Sequence, residues 1–156
     1  MGDSQPSEDS FSPATPGPAE VCRPPATGGS GQALRVSVLY TTHARTLAAL
    51  RVVSQFGARL EVRARILIFQ VMPLNGRLVP PRYLEGIIQA LARESPLRFN
   101  AQICLCRHSR ESLRQFLPPH ALIAIGGKKR WWPTREHLLA TQLERDGHDV
   151  IFVDWG

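Results

Sequence analysis

Nowhere does a run of apolar side chains approach the ~18 residues needed to cross a bilayer. The longest, Ile66 to Met72, is broken by Gln70. Cysteine is scarce as well. Cys104 and Cys106 are two apart in an expected strand and so point to one face, where an ordinary disulfide does not form easily. With Cys22 the total is odd and has no spaced framework, which argues for a reducing compartment. The N-terminus is acidic and Pro-rich rather than basic and apolar, so no signal or transit peptide is expected. Gly2 follows Met1, but Pro6 stands where an N-myristoylation signal needs Ser or Thr. These absences lead to the expectation of a cytoplasmic protein with no membrane insertion.

Catalytic signatures are also missing. The chain has no Gly-x-Ser-x-Gly elbow, no intact Walker loop and no paired acids. Cys104-Leu105-Cys106-Arg107-His108 would need a distant fourth ligand to hold zinc, so these cysteines read as buried thiols and no metal is expected. His120, His137 and His148 are scattered and assigned to turns or helix surface. No catalytic residue is assigned, and an enzyme is not expected.

What is present is enough for one domain. The chain has 156 residues, and ~120 residues can bury a sizeable core without disulfides or metals. Residues 1–32 are rich in Pro, Gly, Ser and Thr and too poor in large apolar side chains to offset the entropy of ordering; they are expected to be a disordered tail. Residues 33–156 are expected to form the domain. Asp3, Glu8, Asp9 and Glu20 against Arg23 give the tail a net charge of −3. The remainder then carries +9 of the chain's net +6. A basic domain attracts anions, although most of this charge is arginine spread along helices.

From Leu34 apolar periodicity takes over. Strands are expected at Leu34–Tyr40, Arg63–Met72, Phe99–Cys106, Leu122–Ile125 and Asp149–Asp154. Ile66–Phe69 is continuously apolar, as suits a strand buried on both faces of a parallel sheet. Helices are expected at Ala44–Phe56, stopped by Gly57; from Pro80–Pro81 to about Glu94; from a Ser109 cap to Leu117; and from a Thr134 cap to about Asp146, closed by Gly147. Strict alternation of strand and helix argues for an α/β layered fold with parallel strands.

Three local patterns carry a family resemblance. They are LAALRVVSQFGARLEV from Leu47 to Val62, ILIFQVMP from Ile66 to Pro73, and ALIAIGG from Ala121 to Gly127. Over about residues 33–155 the layout resembles the universal stress protein family. The resemblance implies a Rossmann-like α/β fold: one parallel five-stranded sheet in order 3-2-1-4-5 with helices on both faces. It also implies a homodimer, and in a subset of members ATP binding. A related domain occurs at the cytoplasmic end of some transporters, so a stand-alone relative serving as a dimerisation or interaction module is the alternative.

In that strand order the chain reverses between strands one and four, and ligands of open α/β sheets bind outside the carboxyl ends of strands at such a point. The loops there are Thr41–Thr46 and Gly126–Thr134. The site expected from them comprises Thr41, Thr42, His43, Gly126, Gly127, Lys128, Lys129 and Arg130. The family's ATP motif is Gly, two residues, Gly, nine residues, Gly, then Ser or Thr. Counted from Gly126 it meets Lys129 and Leu139–Ala140; counted from Gly127 it meets Arg130 and Ala140–Thr141. Two of three glycines are missing in either register, so no cofactor is fixed and ATP or another nucleotide stays an open alternative.

Lys128-Lys129-Arg130-Trp131-Trp132-Pro133 is the most informative segment. Adjacent cations repel by roughly 1 kcal/mol per pair at ~4 Å in water, and a following helix N-terminus disfavours them by a further ~0.3–1 kcal/mol. An anion would relieve both costs. The bland alternative is a solvated loop whose indoles cover the sheet end. Nucleic acid is not the expected partner. Asp149–Asp154 would lie at a sheet edge with four consecutive apolar residues, an arrangement that invites pairing of two copies.

Overall fold

The structure, a computed structural model, describes residues 33–72 and 80–156, without the side chains of Ser109 and Arg110. The expected tail, the end of strand two at Pro73 and the loop through Gly76 lie outside the described residues. The elements are β1 (Leu34–Leu39), α1 (His43–Phe56), β2 (Val62–Val71), α2 (Pro81–Glu94), β3 (Phe99–Cys106), α3 (Ser109–Phe116), β4 (Leu122–Gly127), α4 (Arg135–Arg145) and β5 (Asp149–Asp154). All neighbouring strands are parallel, in order β3-β2-β1-β4-β5. This is the α/β fold with parallel strands that the alternation predicts, in the expected Rossmann-like order 3-2-1-4-5. No helix among the described residues is long and apolar enough to cross a membrane.

The two-residue period of the strands sends side chains alternately to two cores. Val36, Val38, Ile66, Ile68 and Ala124 pack under α1 and α2, against Leu47, Leu50, Val53, Leu84 and Leu91. Leu39, Leu67, Cys104, Ile123 and Ile125 pack on the other face, against Leu113, Leu117, Ala140 and Leu143 of the α3 and α4 side. Burying one such Leu or Ile side chain is worth about 1.5–3 kcal/mol. Cys104 and Cys106 are both buried, as same-face residues should be. One strand position breaks the apolar pattern. Arg65 of β2 is partly buried, and its guanidinium donates to Ser37 Oγ at 3.3 Å and to the Phe116 carbonyl at 3.2 Å. A cation at the carboxyl end of α3 is favoured by the helix dipole.

Several boundaries shift by one residue from expectation, and two differences alter an expected cap or turn. Residue 108, not Ser109, holds the cap position of α3, and the His108 side chain makes no capping hydrogen bond. More consequentially, β4 does not stop at Ile125. It continues through Gly126 and Gly127, which pair with Val153 and Asp154 of β5. The glycines are therefore strand residues rather than a turn. Their smallness is used for packing: a methyl group on Gly126 would run into the backbone carbonyl of Arg45 in the first turn of α1. One on Gly127 would lie 2.5 Å from the Phe152 ring.

Gly126→Ala should therefore destabilise the fold by about 1–3 kcal/mol or more, as overpacking against backbone does. Gly86, exposed within α2, has nothing within 4 Å of a built Cβ. Gly86→Ala should stabilise by about 0.5–1 kcal/mol through helix propensity. Urea unfolding of both variants checks the contrast; equal effects at the two glycines would contradict it.

Candidate functional site

The carboxyl ends of β1 and β4 meet where the strand order reverses. Thr41, just after β1, donates its hydroxyl to the Gly126 carbonyl at 3.0 Å, while its own N–H donates to Oγ1 of the fully buried Thr46 at 3.3 Å. Thr42 caps α1, its hydroxyl accepting from the Arg45 N–H at 3.4 Å. His43 turns away from the crevice: Nε2 lies 2.9 Å from Glu94 Oε1 at the end of α2. Tyr40 precedes them, and burial, with Tyr83 as a second cause, raises its phenol above the usual pKa.

Across the junction Arg45 Nη1 donates to Glu136 Oε1 at 2.7 Å, with both side chains largely covered (27% and 21% exposed). This pair ties the first turn of α1 to the first turn of α4. Glu136 also answers the positive end of the α4 dipole. Thr134 caps that helix by accepting from the His137 N–H at 3.3 Å, and donates its hydroxyl to the Lys128 carbonyl at 3.4 Å.

The basic loop leaves this junction for solvent. Asp154 accepts from the Lys129 N–H at 2.7 Å and fixes the base of the loop. Lys128 is half-buried, and Lys129 and Arg130 are exposed. Among the described residues these three cations make no ion pair. Trp131 and Trp132 rest on each other with ring centroids 3.7 Å apart. They are 84% and 60% exposed, so they do not cover the sheet end.

The eight residues expected at the site thus divide into two groups. Thr41, Thr42, His43, Gly126 and Gly127 are engaged within the fold, whereas Lys129 and Arg130 are exposed and Lys128 is half-buried without an ion pair among the described residues. A concave space of about 200 Å³ lies elsewhere, between α3 and α4, where Arg114 Nη2 reaches Asp146 Oδ1 at 3.1 Å. Among the described residues no cluster of His, Cys, Asp and Glu could hold a metal. His120 and His148 serve turns, contacting the Gly147 carbonyl and the Ala121 N–H.

Comparison with known proteins leaves the chain without a match. No family model, curated protein or solved structure matches it. Its chemistry has to be argued from the residues. Arg45, Glu136, Asp154 and Trp155 belong to the junction although the loop composition does not single them out. The signal for Glu136 was its place in the first turn after the Thr134 cap.

The Arg45–Glu136 pair should contribute to stability. A double-mutant cycle with Arg45→Met and Glu136→Gln is expected to give a coupling of about 1 kcal/mol, within the ~0.5–3 kcal/mol seen for residues in contact. A coupling near zero would mean that the two helices hold their places without it.

Proposed function

We propose that the chain is a non-catalytic binding module, laid out as in the universal stress proteins, that takes a phosphate-type anion at the carboxyl end of its sheet. Lys128, Lys129 and Arg130 supply the charge. A nucleotide such as ATP is one ligand of this class. The observation that carries the reading is the run of three adjacent cations with no ion-pair partner among the described residues, beside the N-terminus of α4. Their mutual repulsion is relieved by an anion. The Arg45–Glu136 pair and the Thr41–Gly126 bond occupy the junction below, so the ligand sits over the loop rather than deep between β1 and β4.

The reading is tested by melting the protein with sulfate, phosphate or ATP. A ligand at a hundred times its dissociation constant stabilises by about 2.7 kcal/mol. Stabilisation should weaken with added salt and disappear in the triple variant Lys128→Ala, Lys129→Ala, Arg130→Ala. The idea fails if no anion stabilises the chain, or if the variant responds as strongly as the parent.

A second reading, a homodimer joined through β5, draws on the sheet order. β5 is terminal in the sheet, and its four central residues Val150–Val153 are only half-buried. Its outer edge offers backbone groups to a second copy. Ile151 and Val153 pack on one core and Val150 and Phe152 on the other, so charging them would also test folding. The opposite edge strand, β3, exposes Ile103 and Leu105 and provides the control. Sedimentation at micromolar concentration should give a dimer that survives Ile103→Lys with Leu105→Lys. A monomer throughout removes the proposal, and dissociation by the β3 changes moves the interface to that edge.

A further inference from the structure

The cationic run lies beside every tryptophan of the chain. Trp131 and Trp132 follow it directly, and Trp155, just beyond β5, donates its backbone N–H to the Gly127 carbonyl at 2.8 Å. All three side chains are exposed, at 84%, 60% and 47%. Indole is an amphipathic ring that gains from an environment apolar on one side and wet on the other. Three of them at one corner, next to three cations without ion pairs, need a partner that is both apolar and anionic.

Two macromolecular surfaces have that character. A single-stranded nucleic acid needs open ring faces for its bases and a cationic groove that follows its backbone. Here Trp131 and Trp132 are turned onto each other, so part of each ring is already covered. The concave space described above is lined by none of the loop residues and includes Glu111 and Asp146 in its lining. Trp131 instead stands out from the surface. An exposed loop that carries indoles beside cations fits a bilayer interface, where tryptophans settle at headgroup level and Lys and Arg meet anionic lipid phosphates. A flat surface requires no groove. Asp154, the carboxylate at the base of the loop, has one oxygen on the Lys129 N–H.

We propose that Trp131, Trp132 and Trp155, with Lys128, Lys129 and Arg130, form a docking corner for an anionic lipid surface. The contact is peripheral and confined to the interface. The proposal rests on the anion reading of the same cations and assigns the phosphate to a lipid headgroup.

Because every tryptophan lies in this corner, the selectively excited tryptophan emission of the full chain reports on it alone. Phosphatidylcholine vesicles with about one quarter phosphatidylserine should pellet the protein and shift its emission to the blue. Pure phosphatidylcholine should do neither. Each cation replaced by alanine should weaken binding about fivefold, equivalent to about 1 kcal/mol near an anionic surface. Trp131→Ala with Trp132→Ala, at exposed positions that leave the core intact, should abolish pelleting while keeping any stabilisation by inorganic phosphate. The proposal is overturned if anionic vesicles produce neither pelleting nor shift, or if the double tryptophan variant pellets like the parent. A single-stranded oligonucleotide that shifts the emission where vesicles do not also overturns it. If phosphate stabilises and vesicles fail, the lipid assignment alone falls; if both fail, the anion reading falls with it.

Discussion

The close approach of α1 to β4 at Gly126 sets the geometry at the carboxyl end of the sheet. With no side chain at Gly126, the first turn of α1 brings the Arg45 backbone against the strand. That contact carries the Arg45 side chain to Glu136, joining two helices that lie on opposite faces. It also leaves the Gly126 carbonyl within reach of Thr41. A larger residue would push α1 outward, and the ion pair and hydrogen bond would lose their distances together. Interiors are packed too densely to absorb such a displacement locally.

The same contact bears on the proposed ligand site. At a strand-order reversal the crevice is usually the open place. Here the Thr41 hydroxyl, the Gly126 carbonyl and the Arg45–Glu136 pair are already engaged, and no buried side-chain polar atom among the described residues lacks a partner. Polar groups already satisfied inside a fold gain little from a second partner, because a new bond must first break an old one. Unrelieved charge remains one step outward, on the loop that β4 feeds after Gly127. The fold thereby separates a hydrogen-bonded structural junction from an exposed basic and aromatic loop.

The element order and strand order were legible in the sequence because they depend on period and on punctuation. Ile66–Phe69 could be recognised as a doubly buried strand, and Thr134 and Gly147 bracket α4 where their cap chemistry predicts. The site was legible only in part. Gly126 and Gly127 look alike as a turn and as two strand residues under close contact, since composition does not reveal what would meet a missing side chain. His43 could be placed after β1, but its direction depends on Glu94, 51 residues away. Arg45 and Glu136 are separated by 91 residues, and no local pattern pairs them. Long-range side-chain contacts follow from the packing of whole elements, which a local reading does not contain.

The fold's polar contacts and the basic loop also use different basic residues. The only two lysines of the chain are Lys128 and Lys129. Arginines make several of the fold's polar contacts: Arg45 to Glu136, Arg63 to Glu61, Arg65 to Ser37 and the Phe116 carbonyl, and Arg114 to Asp146. A guanidinium suits that task because its planar fork of donors can hold fixed acceptors in a set geometry. An ammonium on four methylenes is a mobile point charge that can follow a partner of variable position. Lysine in the loop and arginine in these contacts therefore match two physical demands, fixed ties between elements of the fold and the adaptable electrostatic contact proposed for the loop. Arg130, adjoining both lysines and the tryptophans, adds a planar cation suited to phosphate oxygens or an indole face.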